Sequence, residues 1–382
     1  MHHRHSILCI TPPHMLKEIV KQGTDTQREI AMRTINVSEQ FRAQRRTSLE
    51  MMAVMGARAV KAGRQRVVYD AKNGSNLPGT EVRKEGGDPV ADPAVNEAYD
   101  GSGTTYDLYF NIYGRDSIDG NGLRLDSTVH YQKGYDNAFW NGEQMVYGDG
   151  DEDLPEADRL FNRFTAALDV IGHELTHGVT SYEANLAYWD QSGALNESMS
   201  DVFGSLVKQY QRQQTAGEAD WIIGEGLFTS NVNGVGIRSM KAPGTAYDDP
   251  VLGKDPQPGH MKDYVSTIED NGGVHINSGI PNHAFYVAAV ELGGFAWEKA
   301  GLIWYKTLTD KLSQRSNFQD AANLTFAAAG ELFGTGSLEQ QAVQTGWSEV
   351  GITVETSGNG NGGTGGGDGC LTALLRAIGL AK

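Results

Sequence analysis

The amino-acid sequence predicts an α+β protein built in two lobes, the first rich in strands and the second in helices. From Gln65 to about Asp149, short alternating apolar runs are separated by Asn-Gly and Asp-Gly turns, a pattern of strands and hairpins. From Leu160 onward the apolar period lengthens to a helical one. Strands followed by helices, rather than strict alternation of the two, indicate segregated secondary structure.

The elements follow in order. The start, MHHRHSILCITPPHML, lacks the shape of a secretory signal, because its apolar run from Ile7 to Ile10 is short and Pro12-Pro13 follow at once. Residues 14–46 read as one or two helices, with Leu16, Ile19, Val20, Ile30, Ala31 and Ile35 at helical spacing. Residues 1–50 thus form a leader, and 51–64, rich in small residues, an exposed connector. A β-rich lobe is expected over 65–159, with Arg66–Tyr69 and Thr105–Phe110 among its strands. The helical lobe, 160–352, should contain helices near 160–178, 194–213, 279–293, 297–312, 317–332 and 338–347. The remainder, 353–382, is a tail. Eight of the twelve residues from Gly358 to Gly369 are glycine, the composition of a linker. Leu371, Leu374, Leu375 and Ile378 then share one helical face beside Cys370.

Charge narrows the possible partners. The 382 residues carry 32 basic and 48 acidic side chains, a net charge of −16, with a mean hydropathy of −0.42. No basic face stands out to neutralise phosphates, so nucleic acid is not an expected partner. No stretch approaches the roughly 20 apolar residues that cross a bilayer. With Cys9 and Cys370 alone, no disulfide framework holds the chain. The leader carries eight basic and five acidic side chains, net +3, ahead of a body at −19. That split suits an inhibitory segment docked on an acidic surface.

The chemistry is concentrated in His173-Glu174-Leu175-Thr176-His177, an H-E-x-x-H motif. Four residues apart on a helix, both imidazoles reach one zinc ion while Glu174 lies beside it. Twenty residues after His177, within Asn196–Asp201, Glu197 is a candidate third ligand. Such a His₂Glu set leaves a fourth position open for water. Asp201, one turn further on, is placed to take the outer N–H of a ligand histidine, and Asn196 could serve the other.

With these residues in place, the sequence from about 65 to 352 resembles the thermolysin-like zinc endopeptidases, in the protealysin-type branch with a short propeptide. The resemblance is carried by Asn137-Ala-Phe-Trp-Asn-Gly142, Gly148-Asp-Gly-Asp151, His173–Thr180, Gly193–Gly204, Ile237-Arg-Ser-Met240 and Asp270–Gly279, with Cys9-Ile-Thr-Pro-Pro-His-Met-Leu in the leader. It implies the thermolysin-like two-lobed fold, with the zinc-bearing helix between the lobes. It also implies that Glu174 is general base and proton shuttle, that His275 and Tyr188 donate to the developing oxyanion, and that Asp270 holds the His275 ring. Arg238 would hold a substrate carbonyl, and Asn137 and Ala138 would pair with the peptide as an added strand. Phe161, Phe164, Val170 and Ile237 match the pocket for the residue after the scissile bond. Being apolar, they imply cleavage before Leu, Phe, Ile, Val or Met. Protein or peptide substrates, a monomer, and the leader as intramolecular inhibitor follow from the same resemblance. So does an extracellular location reached without an evident signal peptide, a cytoplasmic enzyme being the alternative.

Two departures matter. Calcium-rich relatives carry a carboxylate cluster near the zinc helix; here Asp169, Asp220 and Glu225 persist, but the central position is Lys208. An ammonium there substitutes for a Ca²⁺ ion that needs six to eight oxygens. The double calcium site is therefore expected to be lost, with Asp149 and Asp151 left as weak candidate ligands. The leader is also shorter than most of the family's, and its removal is expected between about Arg46 and Arg64, before Met51, Met52, Val54 or Met55. Cys9 reads as a small buried thiol rather than a zinc ligand.

Two other functions are open to such a chain. A zinc aminopeptidase shares the ligand set, but no Gly-x-Met-Glu-Asn segment is present to hold a free amine. A catalytically inactive peptide-binding protein would be expected to have lost Glu174, a ligand or His275, and all are present.

Overall fold

The computed structural model describes residues 8–52 and 63–355. The connector from 53 to 62 and the tail from 356, with Cys370 and its apolar face, lie outside the described residues. Most of the expected activation stretch lies there too.

The first lobe is organised by a six-stranded sheet in the order β1 (Leu8–Cys9), β5 (Ala138–Trp140), β6 (Met145–Tyr147), β4 (Leu125–Val129), β2 (Arg66–Asp70), β3 (Thr80–Lys84). The β2–β4 and β4–β6 pairs are parallel and the others antiparallel, so the lobe is not a run of hairpins. The parallel pairing of β2 with β4 needs a crossover, and α3 (Pro93–Tyr113) supplies it. This corrects the strand expected over Thr105–Phe110. Its Tyr/Leu/Phe alternation mimics a strand, but the buried positions Ala94, Val95, Ala98, Tyr99, Ser102, Thr105, Tyr106 and Tyr109 recur at helical spacing. Asp92 caps the first turn through the Ala94 N–H, Pro93 opens the helix and Gly114 ends it in the left-handed conformation.

The leader forms β1, α1 (Pro13–Gln22) and α2 (Asp25–Met52), broken at Gly23-Thr24. It packs onto the body through buried Ile10, Met15, Leu16 and Ile19. Lys17 pairs with Glu269 at 2.8 Å, but both side chains are exposed, so charge complementarity adds little to that apolar hold.

The second lobe is helical: α4 (Leu168–Tyr182), α5 (Asp190–Arg212), the short α6 (Asp270–Asn277), α7 (Gly279–Leu292), α8 (Ala300–Asp310), α9 (Phe318–Phe333) and α10 (Leu338–Glu349). The first expected helix begins later than 160, because Leu160–Ala167 is extended and short 3₁₀ structure. α4 runs between the lobes and is almost wholly buried from Asp169 to Thr180. No described helix is long and apolar enough to cross a membrane.

Candidate active site

Helices α4 and α5 approach so closely that their glycines touch. A Cβ on Gly204 would lie 2.5 Å from the Asp169 carbonyl oxygen and 3.0 Å from the His173 nitrogen, so only glycine fits. This crossing brings His173 and His177 on α4 to Glu197 on α5, all three fully buried, with candidate ligand atoms within 4.8 Å of one another. His173 Nε2 and Glu197 Oε2 are 3.6 Å apart, and His177 Nε2 is 3.5 Å from Glu197 Oε1.

The outer nitrogens are held. His173 Nδ1 is 2.8 Å from Asp201 Oδ1, and His177 Nδ1 is 2.8 Å from both Asn196 Oδ1 and Ser200 Oγ. With each ring oriented from behind, the Nε2 atoms face Glu197. His173 Nε2 and Glu197 Oε2 are buried and make no hydrogen bond within the described residues. Buried polar atoms are normally satisfied, so a cation bound by two imidazoles and a carboxylate fits this set.

Asp201 does more than orient His173. Arg238 donates to both its oxygens, at 2.8 and 2.7 Å, and Asn282 Nδ2 donates at 2.8 Å. Burial works against its ionisation, but Arg238 and His173 outweigh that and hold the carboxyl well below its usual range. Ser200 and Asn282 were not singled out in the sequence. Ser200 could have been found one turn before Gly204 on the ligand face, whereas nothing local marks Asn282, which arrives on α7.

Glu174 is fully buried, and the Trp140 N–H donates to its Oε2 at 3.1 Å. Burial, then the neighbouring Glu197 carboxylate, pushes it well above the usual carboxylate range. Tyr188 donates to Glu197 Oε1 and sits 3.2 Å from His275 Nε2. Asp270 accepts from His275 twice, Oδ1 lying 2.6 Å from Nδ1 and Oδ2 2.9 Å from the backbone nitrogen. That double hold requires the chain to reverse within four residues. Asn271, Gly272 and Gly273 do so with φ of 52°, 85° and 78°, and a Cβ on Gly272 would meet the Asp190 backbone at 2.9 Å.

The leader runs directly along this site. β1 pairs antiparallel with β5, Leu8 opposite Trp140 and Cys9 opposite Phe139. The Cys9 carbonyl lies 3.0 Å from His275 Nε2, and the Ile10 carbonyl accepts from Arg238 Nη1 at 3.3 Å. The Ile10 N–H donates to the Ala138 carbonyl at 3.3 Å, and the Thr11 N–H to Asn137 Oδ1 at 3.0 Å. Ile10 is fully buried in the same apolar cluster as Phe161, Phe164, Val170 and Ile237. The Cys9 side chain belongs instead to a second cluster with Tyr131, Tyr135, Phe139 and Val146, a packing role rather than a place among the ligand atoms.

The carboxylates Asp169, Asp220 and Glu225 converge on Lys208. Its Nζ lies 2.9 Å from Asp169, 2.8 Å from Asp220 and 3.8 Å from Glu225, and it donates to the Ile222 carbonyl at 2.6 Å. Asp149 is engaged by His130 at 2.8 Å, and Asp151 accepts from the Leu160 and Phe161 N–H groups.

Comparison with known proteins agrees with this geometry. The model of the thermolysin metallopeptidase catalytic domain matches residues 24–181, and that of the thermolysin metallopeptidase alpha-helical domain matches residues 184–352. An extracellular metalloprotease of Pectobacterium carotovorum is 50% identical over 349 residues, 91% of this chain and 97% of that one. The chain belongs to the thermolysin family of metallopeptidases. Within that family, protease PrtS of a Photorhabdus species is 47% identical over 351 residues, covering 91% of this chain and 92% of its own length. Among solved structures, the precursor of protealysin, a metalloproteinase from Serratia proteamaculans, superposes with a TM-score of 0.81. It is 52% identical and covers 91% of this chain and 100% of its own. The two-lobed thermolysin-like fold and the short-leader branch are thereby established for this metallopeptidase.

Proposed function

We propose that this metallopeptidase is a zinc endopeptidase that cuts on the N-terminal side of bulky apolar residues and is made with its cleft already filled by the leader. The observation that carries the reading is the leader's position. Residues 9–11 meet His275, Arg238, Ala138 and Asn137, the groups expected to hold a peptide substrate. An aminopeptidase reading is disfavoured by the same contact, since the chain continues through the site in both directions.

His173, His177 and Glu197 would hold the ion. When bound, zinc supplies Lewis acidity toward a peptide carbonyl and lowers the pKa of water. Glu174, kept out of the ligand set but beside it, takes the proton of the attacking water and passes it to the leaving nitrogen. His275 and Tyr188 donate to the carbonyl oxygen as it gains charge. Such preorganised donors are each worth about 2.7–4 kcal/mol of transition-state stabilisation. Asp270 fixes the His275 ring, and Asp201 locks His173 and Arg238 in one network. Phe161, Phe164, Val170 and Ile237 supply the apolar wall for the residue that follows the cut. The Lys208 cluster supports loss of the double calcium site. The export of the relatives supports an extracellular destination.

Casein hydrolysis by the chain freed of its leader tests this. Activity should vanish on complete zinc removal, return with zinc, and fall by at least about 10²-fold in Glu174→Ala. Activity that survives zinc removal would refute it.

A further inference from the structure

The leader does not merely cover the cleft; it lies there in the direction and register of a substrate. Four backbone contacts define that register. The carbonyl oxygen of Cys9 faces the proposed oxyanion donor His275 at 3.0 Å, with the Tyr188 hydroxyl 3.2 Å from the same nitrogen. One residue on, the Ile10 carbonyl is held by Arg238 and the Ile10 N–H by the Ala138 carbonyl. The Thr11 N–H reaches Asn137. The side chain that follows this peptide bond, Ile10, is an apolar residue of the class the pocket should accept, and it is fully buried. The carbonyl of one peptide bond therefore meets a proposed oxyanion donor, while the residue on its amide side is held by Arg238 and Ala138, the groups expected to hold the residue that follows the cut.

From this register we infer that the Cys9–Ile10 peptide bond is itself a cleavage site of the zymogen, cut within its own chain before or apart from the removal of the whole leader. The inference rests on the proposed endopeptidase function. Water adds across the bond: the C–N bond breaks, a C–O bond forms, Cys9 ends as a carboxylate and Ile10 as an amine. Glu174 carries the proton from water to the Ile10 nitrogen. The strand β1 is then released, while Ile10 and Thr11 stay tethered through α1 and α2, whose buried Met15, Leu16 and Ile19 lie on the product side of the cut. A tethered amine re-forms the bond more readily than a free one leaves, so the cut should be slow compared with turnover of a free peptide.

The full chain is purified metal-free, zinc is added, and N-terminal sequencing with intact-mass measurement follows the ends produced over time. A chain beginning at Ile10 is expected, forming at a rate independent of protein concentration, absent from Glu174→Gln and suppressed in Ile10→Asp. Register is checked without metal by amide hydrogen exchange in the full chain. The Ile10 and Thr11 amides should be protected, with Asn137→Ala speeding Thr11 alone. Casein hydrolysis by a preparation that never yields an Ile10 end would overturn the inference and leave the endopeptidase reading intact. So would an Ile10 end whose rate rises with concentration, or unprotected Ile10 and Thr11 amides. Absence of both the Ile10 end and casein hydrolysis would sink both.

Discussion

Replacing Lys208 by Met tests whether an ammonium has taken the place of calcium. Lys208 is 3% exposed and Asp169 1%, whereas Asp220 and Glu225 are 27% and 41% exposed and retain Arg212 as a partner. Water and Arg212 therefore cover part of the loss at the outer two carboxylates, and nothing charged replaces the ammonium at Asp169. Burial opposes the Lys208 charge, but Asp169 and Asp220 more than compensate and raise its pKa, so the cation is the favoured form. Breaking one buried pair by removing a single partner costs about 3–5 kcal/mol. At about 2–4 °C per kcal/mol for a body of this order, the melting temperature should fall by roughly 6–20 °C. Thermal unfolding followed by circular dichroism, with zinc present and calcium first depleted and then millimolar, reads both halves of the argument. Wild type should melt at one temperature with or without calcium. Lys208→Glu, with a fourth carboxylate, should melt lowest without calcium and regain about 2.7 kcal/mol once calcium reaches a hundredfold excess over its dissociation constant. A wild-type melt that rises with calcium, or a Lys208→Met melt equal to wild type, would refute the reasoning.

Asp201→Asn should weaken zinc binding by about 10–100-fold, because His173 loses the carboxylate charge that orients it and raises its basicity, an amide oxygen being a weaker acceptor. Competition with a chromophoric chelator measures this, and unchanged affinity would contradict the role. Gly204→Ala should destabilise by about 1–3 kcal/mol through overpacking, and because the clash falls on Asp169 and His173 it should also lower zinc affinity, unlike a clash elsewhere in the core. His130 donates to Asp149 and Asp92; the Asp149 hydrogen bond, against burial and with help from Asp92, raises its pKa to about 9. Its contribution is full below the unfolded value of about 6.5 and is lost as pH rises through about 9. The wild type should therefore lose about 3 kcal/mol of urea-unfolding free energy between about pH 6 and pH 10 that His130→Gln does not lose, and parallel losses would exclude this linkage.

The metal site was legible because its spacing is local: two histidines one helical turn apart, and Glu197, Asp201 and Asn196 clustered on the next helix. Their meeting depends on Gly172 and Gly204, unremarkable in isolation, whose closeness appears only when α4 and α5 cross. The segment Thr105–Phe110 of α3 reads as a strand because Tyr106, Leu108 and Phe110 recur at a period of two, although Asp92-Pro93 and Gly114 carry helix start and stop signals. The parallel pairing of β2 and β4 followed from that missed crossover. Asn282 and Ser200 were out of reach for a different reason. An amide or hydroxyl has no spacing rule of its own, and its partner is decided by which helix packs behind the site. The substrate-like register of residues 9–11 was equally hidden, since backbone groups leave no mark in composition.

The position of β1 at the end of the sheet also bears on how the protein survives its own synthesis. With the leader in place, β5 is an interior strand, hydrogen-bonded on both sides by β6 and β1. Without it, β5 becomes a bare edge, a template on which another chain can add by backbone pairing alone. Peptide capture and self-association would then compete for one set of N–H and C=O groups. The leader covers that edge, and removing it would expose a three-residue strand, Ala138–Trp140, shorter than the six- or seven-residue segments that stack into sheets.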